Sequence, residues 1–310
     1  MNTIDISIII RTLNEERYLD SLLKGITSQK SSLTYEIILI DSGSNDRTLE
    51  IASNYNCSIL HISRNEFSFG RSLNRACEAA SGSYLVLISG HCIPFDECWL
   101  NNLVHPLTEQ IVQYTYGRQI GGPLTYWSEN QIFANYYPAL SAIPQEGFYC
   151  NNANSALLAE IWKKYNFDEE LTGLEDMYLA KQLVLDGGSV GYVADAIVHH
   201  IHHESWSQVQ RRFEREALAL KEICPEVILR RRDVVVYIIR EICRDVFSRG
   251  LTNISLKFIS EIIKYRYFQY TGSFKGNHSR KKLCNQLRDT YFYPRPTKSK
   301  PLTYQSNSNV

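Results

Sequence analysis

Residues 7–29, SIIIRTLNEERYLDSLLKGITSQ, and residues 36–52, EIILIDSGSNDRTLEIA, decide how this chain folds. In the first, an isoleucine-rich run at 6–10 stops at the polar pair Arg11-Thr12, and Leu19, Leu22, Leu23 and Ile26 then recur at helical spacing. That change of period predicts a buried strand followed by a helix. The second stretch repeats the pattern. Its apolar run at 36–40 ends in Asp41-Ser42-Gly43-Ser44-Asn45-Asp46, all turn formers, before a helical segment at 48–52. Working outward, 58–62 reads as a third strand, 70–80 as a helix and 84–88 as a fourth strand. Strands alternating with helices predict a mostly parallel sheet flanked by helices. Ligands of such sheets sit beyond the carboxyl ends of the strands, which here are residues 11–14, 41–46 and 89–92, all rich in polar groups.

Further along, residues 111–150 are rich in Tyr, Gly and Pro and read as a sheet edge plus a loop. A helix is expected at 174–185, opening with Glu175-Asp176 where unsatisfied N–H groups favour carboxylates. Two strands, 189–193 and 196–201, lead into His199, His200, His202 and His203. From Trp206 onward the pattern is helical, with Arg211, Arg212 and Arg215 on the first helix and apolar stripes at 235–247 and 258–263. The expected organisation is a catalytic domain at 1–205, a basic helical region at 206–288 and a disordered tail at 289–310.

The formal net charge of zero hides an asymmetry, since residues 1–200 carry 12 Lys and Arg against 23 Asp and Glu while 201–310 carry 21 against 10. A basic C-terminal third suits an anionic membrane surface, with docking on the acidic first part as the plainer alternative. Nucleic acid is not an expected partner. No apolar run approaches the roughly 18–20 residues of a membrane-spanning helix, and the N-terminus lacks the features of a signal peptide. A cytoplasmic protein, peripheral on the inner face of the plasma membrane, is the expectation. Eight scattered cysteines without a C-x-x-C pair predict free, mostly buried thiols.

The ordered series Thr-x-Asn-Glu, Asp-Ser-Gly-Ser-x-Asp, FGRSLNRACEAASGSYLVLIS and Glu-Asp-then-His resembles the inverting family-2 glycosyltransferases over about residues 5–205. The resemblance implies the GT-A nucleotide-diphospho-sugar transferase fold, with a nucleotide-binding half at about 1–95 and an acceptor half at about 96–205. It implies that Thr12, Asn14, Glu15, Asp41, Ser44 and Asp46 form the nucleotide pocket, with Arg71 and Asn74 near the ribose and diphosphate. It also implies Asp176 as general base beside Glu175, because inverting transfer needs one carboxylate at the acceptor hydroxyl. The family usually carries Asp-x-Asp where this chain has Ser89-Gly90-His91. Imidazole ligates Mn²⁺ more readily than Mg²⁺, so the expected cofactor is a divalent cation, Mn or Mg, held by His91, His200 and His202. On a strand, 200 and 202 share one face. Should no metal bind, Arg71 or Arg211 would stabilise the leaving diphosphate.

The implied reaction moves a sugar from a nucleotide diphosphate to a hydroxyl of a glycan or lipid-linked saccharide, in cell-surface polysaccharide synthesis. Three alternatives compete. An inactive nucleotide- or glycan-binding scaffold would explain the missing acidic pair. A zinc hydrolase built on 199–203 lacks an H-E-x-x-H helix, and a dinucleotide oxidoreductase lacks G-x-G-x-x-G after the first strand.

Overall fold

Strand β1 (Ile6–Thr12) lies inside the sheet, and its alternation serves two cores at once. Ile9 packs into the core on one face while Ile6, Ile8 and Ile10 pack into the other, which is why the strand reads as an apolar run. It pairs in parallel with β2 (Tyr35–Asp41) and β4 (Tyr84–Ser89), and β3 (Ser58–His61) extends β2 at the edge. Helices α1 (Leu19–Thr27), α2 (Thr48–Ala52) and α3 (Phe69–Glu78) connect these strands. The register sets Thr12 opposite Asp41 and Arg11 opposite Ser89, so three polar strand ends meet. A computed structural model describes residues 4–250 and 255–279 of the chain.

Beyond β4 the sheet is mixed. β7 (Asn154–Leu158) runs antiparallel to β4 and to β6 (Tyr114–Ile120), β6 runs parallel to β8 (Val190–His200), and β5 (Cys92–Pro94) closes the edge antiparallel to β8. The order is β3-β2-β1-β4-β7-β6-β8-β5. Two expectations are corrected here. Residues 111–150 do not form a sheet edge, since β6 is interior and is followed by α5 (Trp127–Tyr136). The two strands expected at 189–193 and 196–201 are one strand. Its pairing jumps from Gly117 opposite Val193 to Gln119 opposite Val198, and exposed Asp195 inside that irregularity mimics a break. Helices α4 (Trp99–Thr108), α6 (Ala159–Tyr165) and α7 (Glu175–Leu185) complete this part.

Three helices follow: α8 (Trp206–Ile223), α9 (Arg231–Ser248) and α10 (Leu256–His278). α10 crosses α8 at glycine positions, where a Cβ on Gly272 would stand 2.3 Å from the Gln210 carbonyl oxygen and one on Gly276 2.1 Å from that of Glu214. The basic region docks partly on the acidic one, with Arg212 reaching Glu129 and Glu204. Arg266 is also turned inward. It is 1% exposed and bonds both carboxylate oxygens of Asp245 at 2.7 Å. It also donates to the Ser128 carbonyl, and Trp127 Nε1 donates to that of Asp245, fastening α9 and α10 to α5. Cys77, Cys92, Cys150 and Cys224 are buried free thiols, whereas Cys98 and Cys243 are exposed. The tail at 289–310 lies outside the described residues.

Replacing Gly272 or Gly276 by Ala forces α8 and α10 apart at a cost of about 1–3 kcal/mol each. The melting temperature measured by scanning calorimetry should fall by at least about 2 °C per substitution.

Candidate active site

The loops after β1 and β2 are zipped together by short polar side chains. Asn14, at φ 58° in the left-handed region that Asn tolerates, donates its N–H to Ser44 Oγ at 2.8 Å and accepts from the Asn45 N–H at 2.9 Å. Glu15 N–H bonds Thr48 Oγ1 at 2.7 Å, and Asp46 accepts from the Glu16 N–H and from Thr48. Asp41, 1% exposed, accepts from the N–H groups of Gly43 and Ser44 and from the hydroxyls of Ser44 and Thr12. Its carboxylate thus shapes the turn, as an Asx residue does. Thr12, Asn14, Glu15, Asp41, Ser44 and Asp46 therefore come together as expected.

Arg71 and Asn74 do not join them. Asn74 is buried on α3, where Oδ1 accepts from Trp162 Nε1 and the Phe167 N–H while Nδ2 donates to the Phe167 carbonyl. Arg71 bonds Glu169 at 2.7 Å and the Glu66 carbonyl. Both hold the 167–169 segment against α3. FGRSLN reads as a ligand loop in sequence, but its Arg and Asn are spent on packing.

The turn after β4 presses against β1. A Cβ on Gly90 would stand 2.8 Å from Glu15 Cγ and 3.2 Å from the Arg11 carbonyl oxygen, so any larger residue would have to push the Glu15 side chain aside. The next residue, His91, bonds Glu15 Oε1 through Nδ1 at 2.8 Å. Because Cys92 pairs with His200 across β5 and β8, His91 lies over the end of β8. The rings of His91 and His200 stack at 5.1 Å, those of His200 and His202 lie 4.1 Å apart, and those of His91 and His202 5.5 Å apart. One nitrogen from each falls within 4.8 Å of the others.

The second nitrogens carry the chemical information. His91 Nδ1 is held by Glu15, His200 Nδ1 by Gln119 Oε1 at 2.6 Å, and His202 Nδ1 by Glu129 Oε1 at 2.8 Å. Each outer partner presents an acceptor oxygen, so each imidazole donates through Nδ1 and keeps an Nε2 lone pair free. Oriented imidazoles backed by carboxylates or carbonyls are the donor set of a transition-metal site, and these residues fit one. Burial, with His202, His91 and Arg212 as neighbours, drives the His200 pKa well below the ordinary value and keeps that imidazole neutral. Burial alone would lower His91 as well, but the Glu15 carboxylate outweighs it and raises the pKa. Gln119 and Glu129 were not anticipated, because a lone Gln on β6 and a lone Glu on α5 carry no signal until the fold brings them to the end of β8.

Glu175 and Asp176 open α7 beyond Leu174, whose φ of 58° is strained for a leucine and the kind of backbone held at functional sites. Asp176 is buried, each carboxylate oxygen accepting one backbone N–H at 2.7 Å, from Asn152 and Met177. Burial and the Glu175 charge push its pKa up to about 7, against the pull of those N–H groups and Arg11. Glu175 pairs with Arg11 Nη1 at 3.4 Å. Arg11 and Arg215 lie over the Phe69 ring at 4.3 and 4.6 Å, concentrating positive charge beside α7. Among the described residues, the buried Nε atoms of Arg211 and Arg215 have no protein partner. Arg215 was seen in the sequence only as one basic residue of a helix.

This mixed sheet, with two linked polar loops and an imidazole cluster at its strand ends, has the GT-A glycosyltransferase fold. Residues 7–165 match Glycosyl transferase family 2, and the chain belongs to that family. It is 26% identical over 210 residues to the O-antigen chain rhamnosyltransferase RfbN of Salmonella typhimurium, covering 64% of this chain and 67% of the relative. It is also 26% identical over 189 residues to the O-antigen chain rhamnosyltransferase WbaN of Salmonella anatum, covering 57% and 60%. Among solved structures, the mannosyltransferase PcManGT of Pyrobaculum calidifontis, in complex with GDP-Man and Mn²⁺, superposes with a TM-score of 0.60 at 13% identity, covering 91% of this chain and 89% of that one. The S. aureus TarS fragment 1–349 with UDP-GlcNAc gives 0.51 at 16% identity over 87% and 90%. These likenesses establish the fold. Membership of the family leaves no place for the oxidoreductase alternative.

Asn74→Ala strands two buried donors, at a cost of about 1–3 kcal/mol. A thermal melt should show that loss, while the affinity for a bound nucleotide, measured by calorimetry, should stay within about twofold if Asn74 only packs.

Proposed function

We propose that the chain is an inverting transferase that moves a sugar from a nucleotide-diphosphate donor to a hydroxyl of a glycan or lipid-linked saccharide, in cell-surface polysaccharide synthesis. Asp176 carries this reading. A buried carboxylate with a pKa near 7 at a helix N-terminus is matched to take a proton at neutral pH, and each oxygen keeps a lone pair beyond its backbone N–H bond. It accepts the acceptor hydroxyl's proton as that oxygen bonds the anomeric carbon. The carbon–oxygen bond to the diphosphate breaks on the opposite face, the leaving group takes the electron pair, and configuration inverts.

The nucleotide occupies the pocket of Thr12, Asn14, Glu15, Asp41, Ser44 and Asp46, where turn N–H groups and hydroxyls surround the ends of β1 and β2. His91, His200 and His202 are the residues that would hold a divalent cation. Such an ion would supply positive charge to the leaving diphosphate, in keeping with neighbours of this fold solved with Mn²⁺ or Mg²⁺. Neutral imidazoles favour Mn²⁺ over Mg²⁺ here. Arg211 and Arg215, rather than Arg71, supply the fixed cations facing the leaving group. On the acceptor side, exposed Tyr136 stacks on Tyr149 at 5.4 Å and presents an aromatic face. The O-antigen rhamnosyltransferase relatives point to a polysaccharide acceptor.

Melting the protein with UDP, GDP, CDP and dTDP, each with and without Mn²⁺, should give a shift with one nucleotide that grows with the ion. No shift with any nucleotide counts against the whole reading and favours a glycan-binding scaffold. Once a donor is found, kcat should rise with pH along a limb with an apparent pKa near 7. Asp176→Asn should lower kcat by about 10²–10⁴-fold at unchanged donor affinity, and retention of activity would remove Asp176 from the mechanism.

A further inference from the structure

Helix α9 is built inside out. Its buried positions include Glu241 and Asp245, 2% and 0% exposed, while Val235, Val236, Ile239 and Phe247 are 57, 57, 58 and 66% exposed. With Cys243, also exposed, these apolar residues fall within an arc of about 120° on a regular helix. Glu241 and Asp245 fall on the opposite side, turned toward the buried guanidinium of Arg266. A surface helix ordinarily does the reverse, placing apolar residues inward and acids in water. An apolar stripe held outward by a buried ion pair needs a non-aqueous surface to cover it.

The charges beside the stripe say which surface. Arg240 and Arg244 border one edge, their side chains 63 and 45% exposed while reaching back to Glu241. Exposed Arg231 borders the other edge, and Arg232, 75% exposed, stands in line with the stripe at its N-terminal end. Ile228, 67% exposed, extends the apolar surface just before the helix. No helix among the described residues is long and apolar enough to cross a bilayer. A second copy of the chain is disfavoured as occupant, because a two-fold contact through this stripe would bring the same arginines together.

We propose that the outward face of α9 is a membrane-docking surface: the helix lies in the interface of an anionic bilayer, with Val235, Val236, Ile239 and Phe247 among the acyl chains and the flanking arginines at lipid phosphates. This goes beyond the transferase reading and does not depend on it. The buried Arg266–Asp245 pair then orients the stripe, while Trp127 and Ser128 of α5 carry the docked helix's position to the body of the enzyme.

The test is flotation of the full chain with vesicles of phosphatidylcholine, with and without phosphatidylglycerol, at low and high salt. The expected result is binding to the anionic vesicles alone, at least about tenfold weaker in high salt. The double variant Ile239→Glu, Phe247→Glu should abolish flotation while keeping the wild-type circular dichroism and melting temperature, both side chains being exposed. Failure of the wild-type chain to float with phosphatidylglycerol overturns the proposal, as does undiminished flotation of the variant. A dimer that the variant converts to monomers, with neither species floating, would assign the stripe to contact between copies and also overturn it. Nucleotide-induced melting shifts on the same samples report the transferase reading separately.

Discussion

One carboxylate oxygen ties the catalytic sheet to the helices that follow it. Glu129 Oε1, on α5, receives His202 Nδ1 at 2.8 Å and Arg212 Nη2 at 2.6 Å. The histidine follows β8 and the arginine comes from α8, so one buried anion fixes three elements that are remote in sequence. Burial opposes its charge, but Arg212 and His202 together prevail and bring its pKa down to about 2. Without that anion, Arg212 would keep Glu204 alone as an ion-pair partner among the described residues, and the His202 ring would lose its orientation.

Asp176 is equally withdrawn from water, yet its pKa moves to about 7. The difference lies in the partners. Glu129 faces a guanidinium and an imidazole; Asp176 faces two backbone N–H groups and another carboxylate. Environments that push two carboxylates in opposite directions separate an anion that organises structure from one that can exchange a proton.

The parallel half of the fold was legible because every local signal agreed: apolar runs of strand length, polar turns at their ends, helical periodicity between. His200 and His202 could be paired by strand parity, and His91 could be singled out by the resemblance, which sets it where the family usually carries an acidic residue. Illegible were the residues whose meaning depends on register. Gln119 and Glu129 became partners of the histidines only because β6 lies inside the sheet, in a stretch whose Tyr, Gly and Pro content suggested a loop. Asn74 and Arg71 misled for the opposite reason: residues that suit a diphosphate suit an internal segment equally well, and sequence does not show which side of a helix meets solvent. In the C-terminal helices hydrophobic periodicity found the stripe of α9 without showing which way it turns; the Arg266–Asp245 pair shows which face is inward.

The turn Ser89-Gly90-His91 follows the same logic of displaced charge. A carboxylate at the position of His91 would itself have met a cation. Here an imidazole stands there, and the carboxylate, Glu15, stands one hydrogen bond behind it. Glu129 stands likewise behind His202. If these imidazoles ligate an ion, the negative charge has moved outward by one shell, leaving neutral donors in front and anions that orient them behind. Such a site favours softer ions than oxygen ligands do. On the proposed reading it would also leave more positive charge toward a diphosphate than a site of direct carboxylates would, and the unpartnered Nε atoms of Arg211 and Arg215 would add to that charge.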